Sequence, residues 1–188
     1  MKKSAAIFEI VRRSLEAGQA VEIEGLGRFR ASPNGYCFDP ESQPTVFIAY
    51  AIEDLAVARR LCDAFYAAGC TPWLDKDRLL PGQNWTESIE RAIAEADAFV
   101  ACLSPGSVSK RGMFQSELRH ALKCASRRPL DDVFLLPARL EPCAVPVQIA
   151  ERYQYIDLYP DWERGVKRLV RSIRRAARAR IGTTFSQV

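Results

Sequence analysis

The sequence of 188 residues lacks both a long apolar run and a paired-cysteine motif. No apolar stretch approaches the roughly 20 residues that a membrane-spanning helix needs, so we expect no membrane association. The six cysteines form no C-x-x-C pair, the spacing typical of zinc and thioredoxin-like sites. Charged residues begin too early at the amino end for a secretory signal. Together these absences predict a cytoplasmic protein with reduced thiols.

Histidine occurs only once, as His120, and excess basic charge is confined to one segment. The net charge is +4 at pH 7, yet residues 161–180 contain eight Lys or Arg against two acidic residues. That segment carries +6, which leaves the rest of the chain slightly acidic. A basic helix face is in most proteins a solvated surface; contact with nucleic acid or another anionic partner is the alternative.

What the sequence does contain is an alternation of short apolar strands with amphipathic helices. Thr45–Tyr50 is a charge-free apolar run typical of a strand buried on both faces, and Ala98–Leu103 repeats it. Between and after them we predict further strands at 71–74, 133–140 and 155–158, and helices at 55–68, from Asn84 onward, at 112–126 and at 161–180. This pattern is typical of an α/β protein with a parallel sheet and helices on both faces. For five strands it favours the flavodoxin-like order 2-1-3-4-5.

Asn84 is predicted to cap its helix, with Glu87 three residues on in the capping-box position. The first forty residues predict a smaller unit, a helix at 7–17 followed by a three-stranded meander. The predicted organisation is a unit at 1–42 that ends in a polar linker at 38–43, a main domain at 43–180, and a tail at 181–188.

The segment Ala17–Phe29 (Ala-Gly-Gln-Ala-Val-Glu-Ile-Glu-Gly-Leu-Gly-Arg-Phe) resembles the helix-to-hairpin signature of the bacterial HU/IHF histone-like family. The chain lacks that family's first helix and its long basic DNA-clasping arm. Six basic residues face six acidic ones between Met1 and Ser42, which argues against neutralising phosphates. We therefore predict packing or dimerisation for this segment, with DNA binding as the alternative.

The predicted strand order places a topological switch point between the strands Thr45–Tyr50 and Ala98–Leu103. The crevice there would be lined by residues 50–54 and 104–109, with the loop Asp75–Trp85 folding over it. Glu117 follows on the next helix, at the margin of an apolar stripe. A carboxylate beside a strand-end crevice is a candidate for chemistry. The alternative is a solvated glutamate beside a core helix.

Six motifs occur in order along most of the chain: Val46–Ala51, Trp73–Asp75, Leu80–Trp85, Ala96–Phe99, Leu103–Ser109 and Ser116–Leu118. Together they resemble a Toll/interleukin-1 receptor (TIR) domain of the bacterial type, from about Pro44 to Ser172. The resemblance implies the same fold that the periodicity predicts.

The resemblance also implies that Glu117 is the catalytic glutamate of TIR NAD hydrolases. It makes Asp75–Trp85 a mobile loop that mediates self-association and shapes the pocket. Cleaving the nicotinamide–ribose bond generates an oxocarbenium-like charge, which one carboxylate near the ribose can stabilise. Nicotinamide is already a good leaving group, so neither a metal, a cofactor nor a catalytic histidine is required. NAD is then the substrate, and His120 is expected at the surface or on the rim.

The sequence departs from the family at the position four residues before the glutamate, where many NAD-cleaving members carry Trp and this chain has Met113. Ala49 and Ala51 stand where serines are frequent. The surface for stacking nicotinamide or adenine is therefore reduced. Trp73 and Trp85 are expected to anchor the core or the loop.

Five further residues are predicted to contact the ligand: Tyr50 by stacking or rim contact, Asp75 and Arg78 as polar groups of the loop, Ser107 through its hydroxyl, and Phe114 as an apolar wall. Four of them also have a purely structural interpretation. Tyr50 would pack at the strand end, Asp75 and Arg78 would form a local ion pair, and Phe114 would belong to the core.

We therefore expect a bacterial TIR effector that cleaves NAD, a nucleosidase or cyclase-like enzyme switched on by self-association through the Asp75–Trp85 loop. The resemblance links such proteins to anti-phage defence or cell death, with an upstream activator protein as a further partner. The alternative is a non-catalytic TIR interaction module, tethered to DNA or to a partner by the HU-like segment.

Overall fold

The computed structural model describes residues 2–23, 27–32, 35–40, 43–74, 84–109, 112–129 and 132–184. The chain divides into two compact units, Met1–Gln43 and Pro44–Val188. Among the described residues no helix is both long enough and apolar enough to cross a membrane. The described part includes all six cysteines, and no disulfide joins them.

The first unit is a helix followed by an antiparallel meander, as predicted. Helix α1 (Lys2–Glu16) precedes the strands β1 (Val21–Ile23), β2 (Gly27–Ser32) and β3 (Gly35–Pro40), which pair in the order β1-β2-β3. The linker predicted at 38–43 is wrong at its start, because residues 38–40 pair with β2 and extend β3. The strand pairing of the meander continues through residues 38–40 although the sequence becomes polar there. The likeness of this unit to HU stays a prediction.

The second unit is an α/β domain around one parallel sheet. Its elements are β4 (Thr45–Ala49), α2 (Leu55–Ala67), β5 (Thr71–Leu74), α3 (Trp85–Glu95), β6 (Ala98–Leu103), α4 (Pro105–Ser109), α5 (Met113–Ala125), β7 (Leu135–Arg139), α6 (Val147–Ala150), β8 (Ile156–Asp157) and α7 (Trp162–Thr184). The strand order is β5-β4-β6-β7-β8, with every neighbouring pair parallel. This confirms the predicted order 2-1-3-4-5.

Helices cover both faces of this sheet, because successive residues of each strand point to opposite sides. Val46 and Ile48 of β4 join a core with α2 and α7. Phe47 and Ala49 join a second core with α3 and α5. Strand β5 is the sheet edge that its Pro72 indicates.

Aromatic rings form a row across the second of these faces. The Phe47 ring stacks on Trp73 at 4.7 Å and on Phe99 at 5.3 Å, measured between ring centroids. The Phe134 ring lies 6.3 Å beyond Phe99. The guanidinium of Arg128 covers the end of the row, 3.9 Å from the centre of Phe134. The row fixes four neighbouring chain segments to one another.

Several local predictions differ from the structure. Helix α1 begins at Lys2 rather than at Ile7. Strands β7 and β8 are shorter than predicted: β7 pairs with β6 only over Leu135–Arg139, and only Ile156 and Asp157 of β8 pair with β7. The predicted capping box is wrong: Asn84 is the N-cap residue of α3, but its side chain makes no capping hydrogen bond. Instead the Ser88 hydroxyl donates to the Asn84 carbonyl at 3.0 Å. Helix α7 ends at Thr184 rather than Arg180.

Candidate functional site

Hydrogen bonds join the two sides of the predicted crevice at the switch point. The Ser104 hydroxyl, just past β6, donates to Asp54 Oδ2 at 2.7 Å, past the end of β4. Ser104 Oγ also accepts from the Ser107 backbone N–H at 3.1 Å. These hydrogen bonds connect the segments that follow the two central strands, β4 and β6.

Ser107 is held inside the same network. Its hydroxyl accepts from the Ser104 N–H at 2.8 Å and donates to the Ser104 carbonyl at 3.1 Å. The residue is only 2% exposed, and Gln115 of α5 donates to its carbonyl at 2.9 Å. This reciprocal serine pair caps α4, so the Ser107 hydroxyl has a structural role here. Its predicted contact with a ribose or phosphate stays a prediction.

Glu117 is the buried charged residue of the described side chains, with 3% of its surface exposed. It lies on α5 among buried apolar neighbours on the same helix, Phe114, Leu118 and Ala121. Burying a carboxylate costs free energy unless it is paired or hydrogen-bonded, and proteins often retain such a group because it serves a function. Its position therefore marks a candidate site.

A cleft of about 160 Å³ lies beside this carboxylate, between α3 and α5. Residues 113, 116, 117 and 120 share one face of α5, as the helical period requires. They meet a matching face of α3. The lining residues are Trp85, Thr86, Ile89, Glu90, Ile93, Met113, Ser116, Glu117 and His120. The cleft beside Glu117 thus lies between the helices α3 and α5, whereas the sequence predicted a crevice between the ends of β4 and β6.

Trp85 was expected to anchor the core or the loop; the core assignment is wrong, and the loop at 75–83 lies outside the described residues. The residue is 49% exposed and lines the cleft. It belongs to the stripe Trp85–Ile89–Ile93, with the spacing of one helix face, but only the two isoleucines are buried. Trp85 is the first residue of α3, so it lies at the end of the stripe, past the part of the helix that packs on the sheet. That position at the helix start was the sequence signal for exposure.

His120 lies on the rim of the cleft, as expected. Its Nδ1 is 3.6 Å from Glu90 Oε1, so the pair links α5 to α3 across the opening. Met113, four residues before Glu117, also lines the cleft and is partly exposed. Aromatic, thioether, carboxylate and imidazole groups therefore surround one small volume.

Among the described residues, Tyr50 and Phe114 do not line this cleft. Tyr50 is buried in the core that faces α2 and α7, on the side of the sheet opposite α5. Phe114 is buried in the core that faces α3 and α5, which matches its structural interpretation. Asp75 and Arg78 lie outside the described residues. Ligand roles for these four residues stay predictions.

Other chemistries find less support among the described residues. No group of three His, Cys, Asp or Glu there is arranged to hold a metal ion. Cys102 is fully buried in β6, and burial raises the pKa of its thiol well above the ordinary value, with the nearby Asp54 carboxylate adding to the rise. A thiol in this environment stays protonated and is a poor nucleophile.

The parallel sheet in this order defines a flavodoxin-like α/β domain. Its buried glutamate lies on α5, the second helix after the central strand β6, beside a cleft between α3 and α5. The family described as "TIR domain" matches residues 46–170. The chain therefore belongs to the TIR domain family.

Solved structures agree with this assignment. The chain is similar to the TIR domain of the Toll-related receptor TRR-2 from Hydra magnipapillata, at 25% identity and a TM-score of 0.57, covering 69% of this chain and 97% of that one. It is also similar to a TIR-STING receptor from C. gigas, at 21% identity and a TM-score of 0.59, covering 73% of this chain but 41% of the receptor. A prokaryotic SEFIR domain matches at 18% identity and a TM-score of 0.52, with 70% and 92% covered. No curated protein sequence matches the chain significantly.

Proposed function

We propose that this TIR protein cleaves NAD at the nicotinamide–ribose bond, with Glu117 as the catalytic carboxylate. The observation that carries the proposal is the burial of Glu117 at the floor of the α3–α5 cleft. As the bond to nicotinamide breaks, positive charge develops on the ribose. A carboxylate held in a site of low dielectric stabilises that charge more strongly than one in water.

The size of the cleft restricts which part of the substrate enters it. At about 160 Å³ it is smaller than the roughly 300–1,000 Å³ of sites that enclose a drug-sized ligand. This volume suits a single ring with part of its sugar better than a whole dinucleotide. We assign the nicotinamide riboside end to the cleft and the remainder of NAD to the surface outside it.

Trp85 and Met113 supply the apolar walls in this proposal. The two residues lie on different helices, α3 and α5, and line the same cleft. An indole offers a flat face on which a nicotinamide ring stacks, and a thioether packs well against a ring edge. Trp85 thereby provides a stacking surface from the wall opposite the position that many family members fill with tryptophan.

A non-catalytic interaction module is the second candidate, and two observations favour it. Ser104 and Asp54 join the ends of β4 and β6 directly, and the Ser107 hydroxyl is engaged. Trp85 and Met113 are large apolar residues that remain exposed, which is typical of protein interfaces. In either case we propose self-association through the Asp75–Trp85 segment, with an activator protein upstream and a role in anti-phage defence or cell death.

Nicotinamide release by concentrated protein separates the two candidates. Glu117→Gln keeps the shape of the side chain and removes its charge, so we expect turnover to fall by about 100-fold or more. Glu90→Gln is the matched control, because Glu90 lines the same cleft but is exposed at its rim. It should retain turnover within about threefold.

Circular dichroism checks that both variants fold. Turnover that survives Glu117→Gln removes the proposed mechanism. Absence of turnover in wild-type protein that light scattering shows to be assembled favours the interaction module.

A further inference from the structure

A row of arginines runs along one side of α7. Arg164, Arg168, Arg171, Arg175 and Arg178 are separated alternately by four and three residues, the spacing that keeps side chains in one line on a helix. All five are exposed. At 1.5 Å per residue the row is about 21 Å long. We call this set the α7 arginine row.

Acidic side chains lie near part of the row, and the charge of Arg168 helps to lower the pKa of Asp157, but four of the five arginines form no salt bridge with any described residue. Within the described part of the chain, no salt bridge involves Arg164, Arg168, Arg171 or Arg175. Elsewhere the chain does pair such side chains: Arg12 on α1 lies 3.6 Å from carboxylates both three residues before it and four residues after it. Like charges at these spacings repel and destabilise a helix. The spacing of like charges along the row therefore costs helix stability rather than adding to it.

The opposite side of α7 packs into the hydrophobic core. Val166, Leu169, Ile173 and Ala176 are buried against the sheet together with α2. The helix therefore has no apolar face left to insert into a lipid surface, which distinguishes it from amphipathic membrane-binding helices. It holds the arginines at fixed spacing on a rigid support.

Two grooves flank the row and widen the basic surface. One has a volume of about 410 Å³ and is lined by Asp161, Glu163, Arg164, Lys167, Arg168 and Arg171. The other, of about 420 Å³, also includes Arg168 and Arg171, and adds Arg152 and Asp132. Each groove has two more basic than acidic lining residues. Arg168 and Arg171 thus form a ridge between two electropositive depressions.

We propose that the α7 arginine row binds the phosphate backbone of a nucleic-acid duplex without reading its sequence. Arginine matches phosphate geometry with a planar fork of donors. A row of this length spans about six base pairs, since phosphates on one strand rise about 3.4 Å per step. Single strands are held chiefly by stacking on exposed rings. The first groove has no aromatic lining residue, and of the two in the second groove Phe134 is buried and Tyr153 is half-buried. This surface is separate from the α3–α5 cleft and does not depend on NAD cleavage.

The test is fluorescence anisotropy of the full chain with a labelled DNA duplex of about 20 base pairs and mixed sequence, measured from about 50 to 300 mM salt. Each phosphate contact contributes about 0.9 to the slope of log affinity against log salt. Replacing Arg168, Arg171 and Arg175 together by Gln should therefore reduce the magnitude of the slope by about 2.7. Affinity at low salt should fall at least tenfold.

Two control triples remove the same total charge. One replaces Arg59, Arg91 and Arg127, which are exposed on other parts of the same domain. The other replaces Arg12, Arg13 and Arg28 of the first unit. Both should change the slope by less than about 1.

Four results would overturn the proposal. These are equal losses in the row triple and the first control, a larger loss in the first-unit triple, absence of duplex binding at low salt, or binding only to vesicles containing phosphatidylserine. Competition by unlabelled duplex of unrelated sequence with equal potency would support binding to the backbone.

Discussion

Gly165 lies in the first turn of α7, where the helix packs closely on residues 157 and 158. A Cβ atom added at this position would lie 2.7 Å from the Asp157 carbonyl oxygen and 3.0 Å from the Leu158 Cα. Both atoms belong to the backbone and cannot rotate away. The substitution Gly165→Ala therefore brings two opposing effects into competition.

Helix propensity favours alanine over glycine by about 1 kcal/mol in a helix interior. Forcing an extra methyl group into a closely packed contact costs about 1–3 kcal/mol, and a backbone clash lies toward the upper end. We expect the steric effect to dominate and Gly165→Ala to destabilise the protein by about 1–2 kcal/mol. For a chain of this size that lowers the melting temperature by about 2–8 °C.

Gly106→Ala is the matched control, because Gly106 is also helical and its added Cβ would meet only Ser104 Oγ at 3.7 Å. It should leave the stability unchanged or raise it by up to about 1 kcal/mol. Thermal and urea unfolding followed by circular dichroism measure both variants. A melting temperature of Gly165→Ala equal to or above the wild-type value would refute the close packing of α7 on β8. Equal losses in both variants would assign the effect to alanine itself.

Two further predictions concern the sheet edge and the cleft. Arg139 donates to both carboxylate oxygens of Asp157, at 2.6 and 2.9 Å, and these hydrogen bonds lower the pKa of Asp157. Asp157→Asn should therefore reduce stability by about 1 kcal/mol at pH 7. A carboxylate with a lowered pKa contributes its full stabilisation above the unfolded pKa of about 4 and loses it as the pH falls through the lowered pKa, so the difference should vanish there. A difference in urea midpoint that persists in acid would contradict it. In the cleft, Trp85→Ala should raise the KM for NAD about 10-fold or more while Trp85→Phe stays near wild type; a change in kcat alone would contradict the stacking role.

Much of the fold follows from local sequence patterns. Val46–Ala49 and Ala98–Leu103 are apolar at every position, which only a strand covered on both faces tolerates, and both are central in the sheet. Pro72 predicted an edge strand and lies on one. Short strands such as β8 are less predictable, because one or two hydrogen-bonded pairs with a neighbour define them rather than their own composition.

The site was less predictable, because it depends on the packing of two helices. The position of Glu117 on a helix could be predicted, but its burial depends on how α3 lies against α5. Tyr50 is the exception, because strand alternation continued one residue past β4 is enough to place its side chain on the opposite face. The pairing of Ser104 with Asp54 joins residues fifty positions apart, and no local pattern indicates it.

The row of stacked rings has a practical consequence. Trp73 is in contact with Phe47, and Phe47 with Phe99, so the environment of this indole depends on three strands being assembled. Trp85 stands apart in the cleft and senses the solvent there. Of the three tryptophans, these two therefore report separately on the integrity of the sheet and on occupancy of the cleft, while the third, Trp162, packs against the Arg60 guanidinium at 4.0 Å.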